Sequence, residues 1–127
     1  MKSYVLDFEV GWGTAAEAVV GAMSQSVPET DRHCMEMFGV CDITVPVAAA
    51  SNATALERCP TADIWMVNFC VVENTIALRQ PGGFAFFSDI FGRAKPGAVF
   101  LFTDATHRLW PDLVSVAFET WFGSSLV

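Results

Sequence analysis

Glu9-Val10-Gly11-Trp12-Gly13-Thr14-Ala15 places a carboxylate, two glycines and a small residue at alternate positions. Glycines at that spacing let the backbone approach a bound molecule closely and turn sharply into a helix. The leading carboxylate disfavours phosphate and suits an ammonium or hydroxyl group, and the residues after the glycines do not form a phosphate-binding pattern. A purely structural turn would use the same residues. Three other stretches put polar groups directly after apolar runs: Asp42-Ile43, Asn68 to Asn74, and Thr103 to Arg108. Each has a second reading. Asn68 can close a strand end as a buried amide, Asp104 can cap a turn, and Glu73 with Asn74 can begin a loop or helix. His107 beside Arg108 reads as a surface pair as well as a base.

Composition narrows the classes. The chain has 127 residues, enough for one domain (1–127) around a single core. It is 53% hydrophobic and only 17% charged, which calls for elements buried on both faces or for a partner that covers the remainder. A net charge of −7 with no basic stripe argues against nucleic acid as a ligand of the isolated chain. Cys34, Cys41, Cys59 and Cys70 form no CxxC pair and read as buried thiols rather than a zinc site. "MKSYVLDFEV" interrupts any signal-peptide core with Asp7 and Glu9, and the longest apolar stretch carries Asp63, Asn68, Glu73 and Asn74. A cytoplasmic, membrane-free protein is expected, in which the Asn52-Ala53-Thr54 sequon is fortuitous.

The elements that must position these residues alternate. Strand patterns cover Tyr4–Phe8, Met35–Val40, Ile64–Val72 and Ala98–Phe102. Helical patterns cover Thr14–Met23, Ala48–Arg58, Phe86–Lys95 and Pro111–Phe122, the last with a stripe of Leu113, Val114, Ala117, Trp121 and Phe122. The run Ile64–Val72 suits a parallel strand covered on both faces. The alternation predicts an α/β fold with a mostly parallel sheet and helices on both faces. Ligands of such sheets bind beyond the carboxyl ends of the strands, where all four polar stretches fall.

"EVGWGTA", "GVCDITVP", "ADIWMVNFCVVEN" and "RAKPGAVFLFTDAT" resemble, in order, the first motif and the third, fourth and fifth strands of class I S-adenosylmethionine-dependent methyltransferases. The resemblance covers Tyr4 to Asp104. It implies a Rossmann-like domain whose small-molecule cofactor is S-adenosylmethionine. Glu9, Gly11, Gly13 and Ala15 would line its methionine and ribose part, and Asp42 and Ile43 would flank the adenine. Asn68 and Phe69 would face the methyl group and the acceptor, with Asn68 and Asp104 as the catalytic candidates and no metal required.

The chain departs from that pattern. Ala15 stands where the first motif ends in glycine. Too few residues separate Glu9 from Asp42 for a clear second strand with its ribose-binding acid, for which Asp31 and Glu36 are the candidates. No antiparallel strands follow Phe122. The expected domain is therefore abridged or fragmentary, with an exposed sheet edge that a protein partner or a homo-oligomer would cover. The rival expectation is a degenerate, non-catalytic interaction subunit of the same fold.

Overall fold

A computed structural model describes residues 2–26, 34–105 and 108–123. Strands β1 (Lys2–Asp7), β2 (Cys34–Val40), β3 (Ile64–Asn68) and β4 (Val99–Thr103) alternate with helices α1 (Trp12–Ser26), α2 (Ala53–Arg58), α3 (Thr75–Leu78), α4 (Ala85–Arg93) and α5 (Trp110–Phe122). The chain is α/β, and its strands form two parallel pairs. In the first, Val5 faces Phe38 and Leu6 faces Gly39; in the second, Ile64 faces Val99 and Asn68 faces Thr103. The segment expected as a third strand is thus the direct neighbour of β1. No ladder joins the two pairs among the described residues.

Successive residues of β2 settle where the first helices lie. A side chain at Gly13 of α1 would stand 3.0 Å from the Phe38 ring, and one at Gly39 would stand 2.5 Å from the Thr54 hydroxyl of α2. Adjacent strand residues point to opposite faces, so α1 and α2 cover opposite faces of the first pair. Both glycines serve close approach of helix to strand.

Among the described residues, the second pair is covered on one face only. Trp65, Val67, Phe100 and Phe102 point into the core, where α4 contributes Phe86, Phe87, Ile90 and Phe91, the apolar side expected of that helix. Phe91 meets Phe100 edge-on with ring centroids 4.9 Å apart, and Phe87 lies 5.8 Å from Phe102. Trp121 of α5 adds an indole N–H bond of 3.1 Å to the Phe91 carbonyl. The alternate residues Ile64, Met66, Val99 and Leu101 are exposed. The expectation that β3 is covered on both faces is therefore corrected. A continuous apolar run fits a strand between two layers, but it cannot reveal that one layer is missing. For the same reason only part of the α5 stripe is buried: Leu113 is, whereas Val114, Trp121 and Phe122 are exposed.

Local chemistry explains the boundaries. The chain leaves α4 through Lys95-Pro96-Gly97, with Ala98 N–H donating to the Lys95 carbonyl at 3.1 Å and Gly97 at φ +84°. Pro then Gly at those two positions is the pattern of a type II turn. Lys95 is ion-paired with Asp63 across the start of β3. The expected strand Ile64–Val72 ends early, at Asn68, because Phe69 takes φ +54° and turns the chain out of the pair. The expected helix Ala48–Arg58 opens as a 3₁₀ turn, Ala50–Asn52, before α2. Among the described residues, no helix is long and apolar enough to cross a membrane.

Candidate functional site

A pocket of about 310 Å³ lies where the carboxyl ends of β1 and β2 meet β3. Leu6, Asp7 and Phe8 form one wall, Cys41 to Thr44 a second, and Trp65 to Val67 with Cys70, Glu73 and Asn74 a third; Phe86 and Ile90 of α4 close the floor. Among the described residues, three carboxylates line it and no Lys or Arg does. A broader, shallower hollow of about 420 Å³ lies between the Gln80–Ala85 turn and Glu119-Thr120, remote from the strand ends.

Asn52 builds the second wall. It is the buried polar residue among those described. Its Oδ1 accepts the Asp42 N–H at 2.6 Å, and its Nδ2 donates to the carbonyls of Asp42 at 2.9 Å and Pro46 at 3.1 Å. The Asp42 carboxylate in turn accepts the Thr44 N–H at 2.9 Å and the Thr44 hydroxyl at 2.6 Å. A loop between a strand and a helix has no ladder of its own, so a side-chain amide takes over that task. Asn52 is also the sequon residue, and its fully buried, hydrogen-bonded amide leaves no room for a glycan in this fold.

Asp104 builds the third wall. Its Oδ2 accepts the N–H groups of Val71 at 3.1 Å and Val72 at 3.0 Å, and its Oδ1 accepts the Ala105 N–H at 2.8 Å. This is the capping geometry. The carboxylate ties the end of β4 to the turn that carries Glu73 and Asn74.

The structure thus brings Asp42 and Ile43 together with Asp7, Glu73 and two cysteines, and leaves the other expected site residues outside the pocket lining. Glu9 is exposed, and its carboxylate accepts the Gly11 N–H at 3.2 Å within its own turn. Gly11 lies beside that carboxylate, Gly13 packs on Phe38, and Ala15 is exposed on α1. Asn68 lies on the uncovered face, its amide oxygen accepting the Thr103 hydroxyl at 2.5 Å. Phe69 is exposed next to it. Asp31, Thr106 and His107 lie outside the described residues, as does the side chain of Glu36.

Sequence reasoning missed Asp7, Glu73 and Asn52 as site-building residues. Asp7 carried a signal, being the last polar residue of a strand pattern. Asn52 carried none, because its partners lie on a loop six to ten residues earlier and only the folded chain turns them toward it.

The thiols of Cys41, Cys59 and Cys70 are poor nucleophiles here, and the Cys34 side chain lies outside the described residues. Burial, followed by the Asp42 carboxylate, pushes Cys41 up to about 12, and burial pushes Cys59 up to about 11. Burial and then the carboxylates of Asp7, Glu73 and Asp104 raise Cys70. The folded thiols stay protonated where unfolded ones ionise, near pH 9. Their contribution to stability is therefore complete below pH 9 and is lost as pH rises from 9 toward 11 to 12. The expected loss is about 1.4 kcal/mol per pH unit per thiol. Urea midpoints measured between pH 8 and 10 check this: a Cys41→Ala, Cys59→Ala variant should show a clearly shallower decline. An unchanged decline would mean the thiols are not the titrating groups.

Trp65 adds an unsatisfied donor: its indole Nε1 is buried without a hydrogen-bond partner among the described residues. Among those residues no three His, Cys, Asp or Glu side chains converge as a metal-binding group. Comparison of the chain with protein-family models, with curated proteins and with solved structures finds no match.

Proposed function

We propose that the chain is a Rossmann-like S-adenosylmethionine-dependent methyltransferase domain that binds its cofactor at the junction of β1, β2 and β3. The observation that carries this reading is the pocket itself, at the carboxyl ends of parallel strands and lined by Asp7, Asp42 and Glu73, with no counter-cation among the described residues. Open α/β sheets bind ligands at such ends. The three carboxylates repel phosphates and attract a ligand bearing hydroxyls, an ammonium or a sulfonium. Its volume is at the lower end of small-molecule sites, enough for a nucleoside portion. The unpaired Trp65 N–H would gain an acceptor there.

S-Adenosylmethionine supplies an electrophilic methyl carbon on sulfur, so the protein's share is orientation and exclusion of water. Asp42, held by Asn52 and Thr44, presents a fixed carboxylate to ligand hydroxyls. Ile43, Phe86 and Ile90 give the apolar surface against which a flat base packs. Asp104 acts at one remove, through the Val71–Asn74 turn, and Asn68 with Phe69 stands at the adjoining strand end where an acceptor would approach.

Calorimetric titration of the full chain with S-adenosylmethionine and S-adenosylhomocysteine tests the reading. Saturable binding is expected, abolished by Ile43→Arg and retained by Val114→Lys, a change on the exposed side of α5. Absence of heat at millimolar ligand would overturn it in favour of the non-catalytic interaction subunit, a reading that the uncovered β3–β4 face supports.

A further inference from the structure

We infer that Asp7, Asp42 and Glu73 make the pocket select S-adenosylmethionine over S-adenosylhomocysteine by charge, so that methyl transfer itself loosens the hold on the product. Such selection rests on the cofactor reading above. The two ligands differ by one methyl group and one charge. Transfer forms a bond from the acceptor's lone pair to the methyl carbon and breaks the carbon–sulfur bond, whose electron pair stays on sulfur. The sulfonium becomes a neutral thioether, and the positive charge passes to the acceptor and leaves as a proton. The ammonium, carboxylate and adenosine parts are common to both ligands and cancel in the comparison. What remains is one methyl contact and the interaction of the walls with one positive charge.

Those walls are negative and uncompensated. The Asp42 carboxylate accepts the N–H and hydroxyl of Thr44, and Asp7 Oδ1 accepts the Glu9 N–H at 2.8 Å. These donors are neutral, so they orient the carboxylates without cancelling their charge. Among the described residues none of the three lining carboxylates is ion-paired; the ion pairs there, Glu57 with Arg58 and Asp63 with Lys95, involve no residue of the pocket lining. Cys41 and Cys70 line the same pocket and respond to its field. After burial, Asp42 raises the first thiol, and Asp7 and then Glu73 raise the second.

The size of the pocket makes that field effective. It measures about 310 Å³, so a charge held in it stays within about one Debye length, ~8 Å at 0.15 M salt, of its walls. Ile43, Phe86 and Ile90 in the same lining suit the apolar parts of an organic cation. Among the described residues no three His, Cys, Asp or Glu side chains converge to hold an inorganic one. The carboxylates therefore act at a distance, on a charge that the rest of the ligand places.

Calorimetric titration of the full chain at low and at high salt decides the matter, with three ligands. They are S-adenosylmethionine, S-adenosylhomocysteine, and an analogue whose sulfonium is replaced by a carbon bearing an ammonium group. At low salt S-adenosylmethionine should bind about tenfold tighter than S-adenosylhomocysteine, with the ammonium analogue siding with the former, and high salt should reduce the preference to about twofold. Glu73→Gln removes a charge without touching the hydrogen bonds of Asp7 or Asp42, and should cut the low-salt preference several-fold. Glu119→Gln, beside the remote hollow, should leave it unchanged. S-Adenosylhomocysteine binding as tightly as S-adenosylmethionine, an ammonium analogue that binds no better than the thioether, or a preference indifferent to salt would overturn the charge selection while the cofactor reading stands. Absence of heat with all three ligands would overturn both. The salt series uses the unsubstituted protein, so a variant that fails to fold does not spoil the test.

Discussion

Asn52→Ala is expected to lower the unfolding free energy by about 3 kcal/mol, a large share of the 5–15 kcal/mol typical of a domain. The side chain is fully buried and makes one bond to an N–H and two close bonds to carbonyls of the Asp42–Pro46 loop. Removing it strands the N–H and carbonyl of half-buried Asp42, whereas the Pro46 carbonyl keeps the bond it accepts from Ala49 N–H at 3.0 Å. Each buried group so stranded costs about 1–3 kcal/mol. The loss falls on the wall that holds Asp42 and Ile43, so ligand affinity should drop along with stability. Urea denaturation and a titration of the same sample measure both. A loss under about 1 kcal/mol would show that the loop keeps its shape by other means.

Asp104→Ala should cost about 2–3 kcal/mol, because three backbone N–H groups lose their acceptor. The turn bearing Glu73 and Asn74 would then loosen, and the pocket would lose its third wall. Asp104→Asn separates positioning from chemistry. An amide keeps one oxygen for the Val71 and Val72 N–H groups but turns a donor toward Ala105, so a partial loss of both stability and ligand affinity is expected. A catalytic base would behave differently: the amide would leave stability and affinity intact and depress turnover alone. That second pattern would restore Asp104 as a catalytic candidate.

Much of the scaffold was legible in the residues. The buried quartet of α4 followed from apolar positions recurring on one helical side, and the turn into β4 followed from Pro-Gly chemistry. Pro111 sits in the first turn of α5, where its missing N–H costs nothing. β3 and β4 fall on runs of β-branched and aromatic residues, whereas β2, Cys-Met-Glu-Met-Phe-Gly-Val, is only weakly strand-like. The errors share one origin. Ile64, Met66, Val99 and Leu101 are as apolar as Trp65, Val67, Phe100 and Phe102, so no pattern along the chain could tell the bare face from the covered one.

The candidate site was legible in outline and not in membership. That polar residues after strands would gather at one end is a consequence of parallel strands, and Asp42 and Ile43 did gather there with Asp7 and Glu73. Which polar residue faces the pocket depends on alternation within the strand and on the local turn. Asn68 falls on the outward phase of β3, and the φ of Phe69 swings the following turn so that Cys70, Glu73 and Asn74 face inward.

By itself the sequence determined the four strands, four of the five helices and their order, the parallel α/β class and the polar character of the strand ends, because these follow from local periodicity and turn chemistry; the short α3 escaped it. Only the tertiary structure decided that the strands form two pairs, that β2 adjoins β1, that one face of β3–β4 stays bare, and that Asn52 and Asp104 act as builders of the pocket walls. Those outcomes rest on contacts between residues far apart in the chain, whose partners are chosen by packing and by the need to satisfy buried backbone groups.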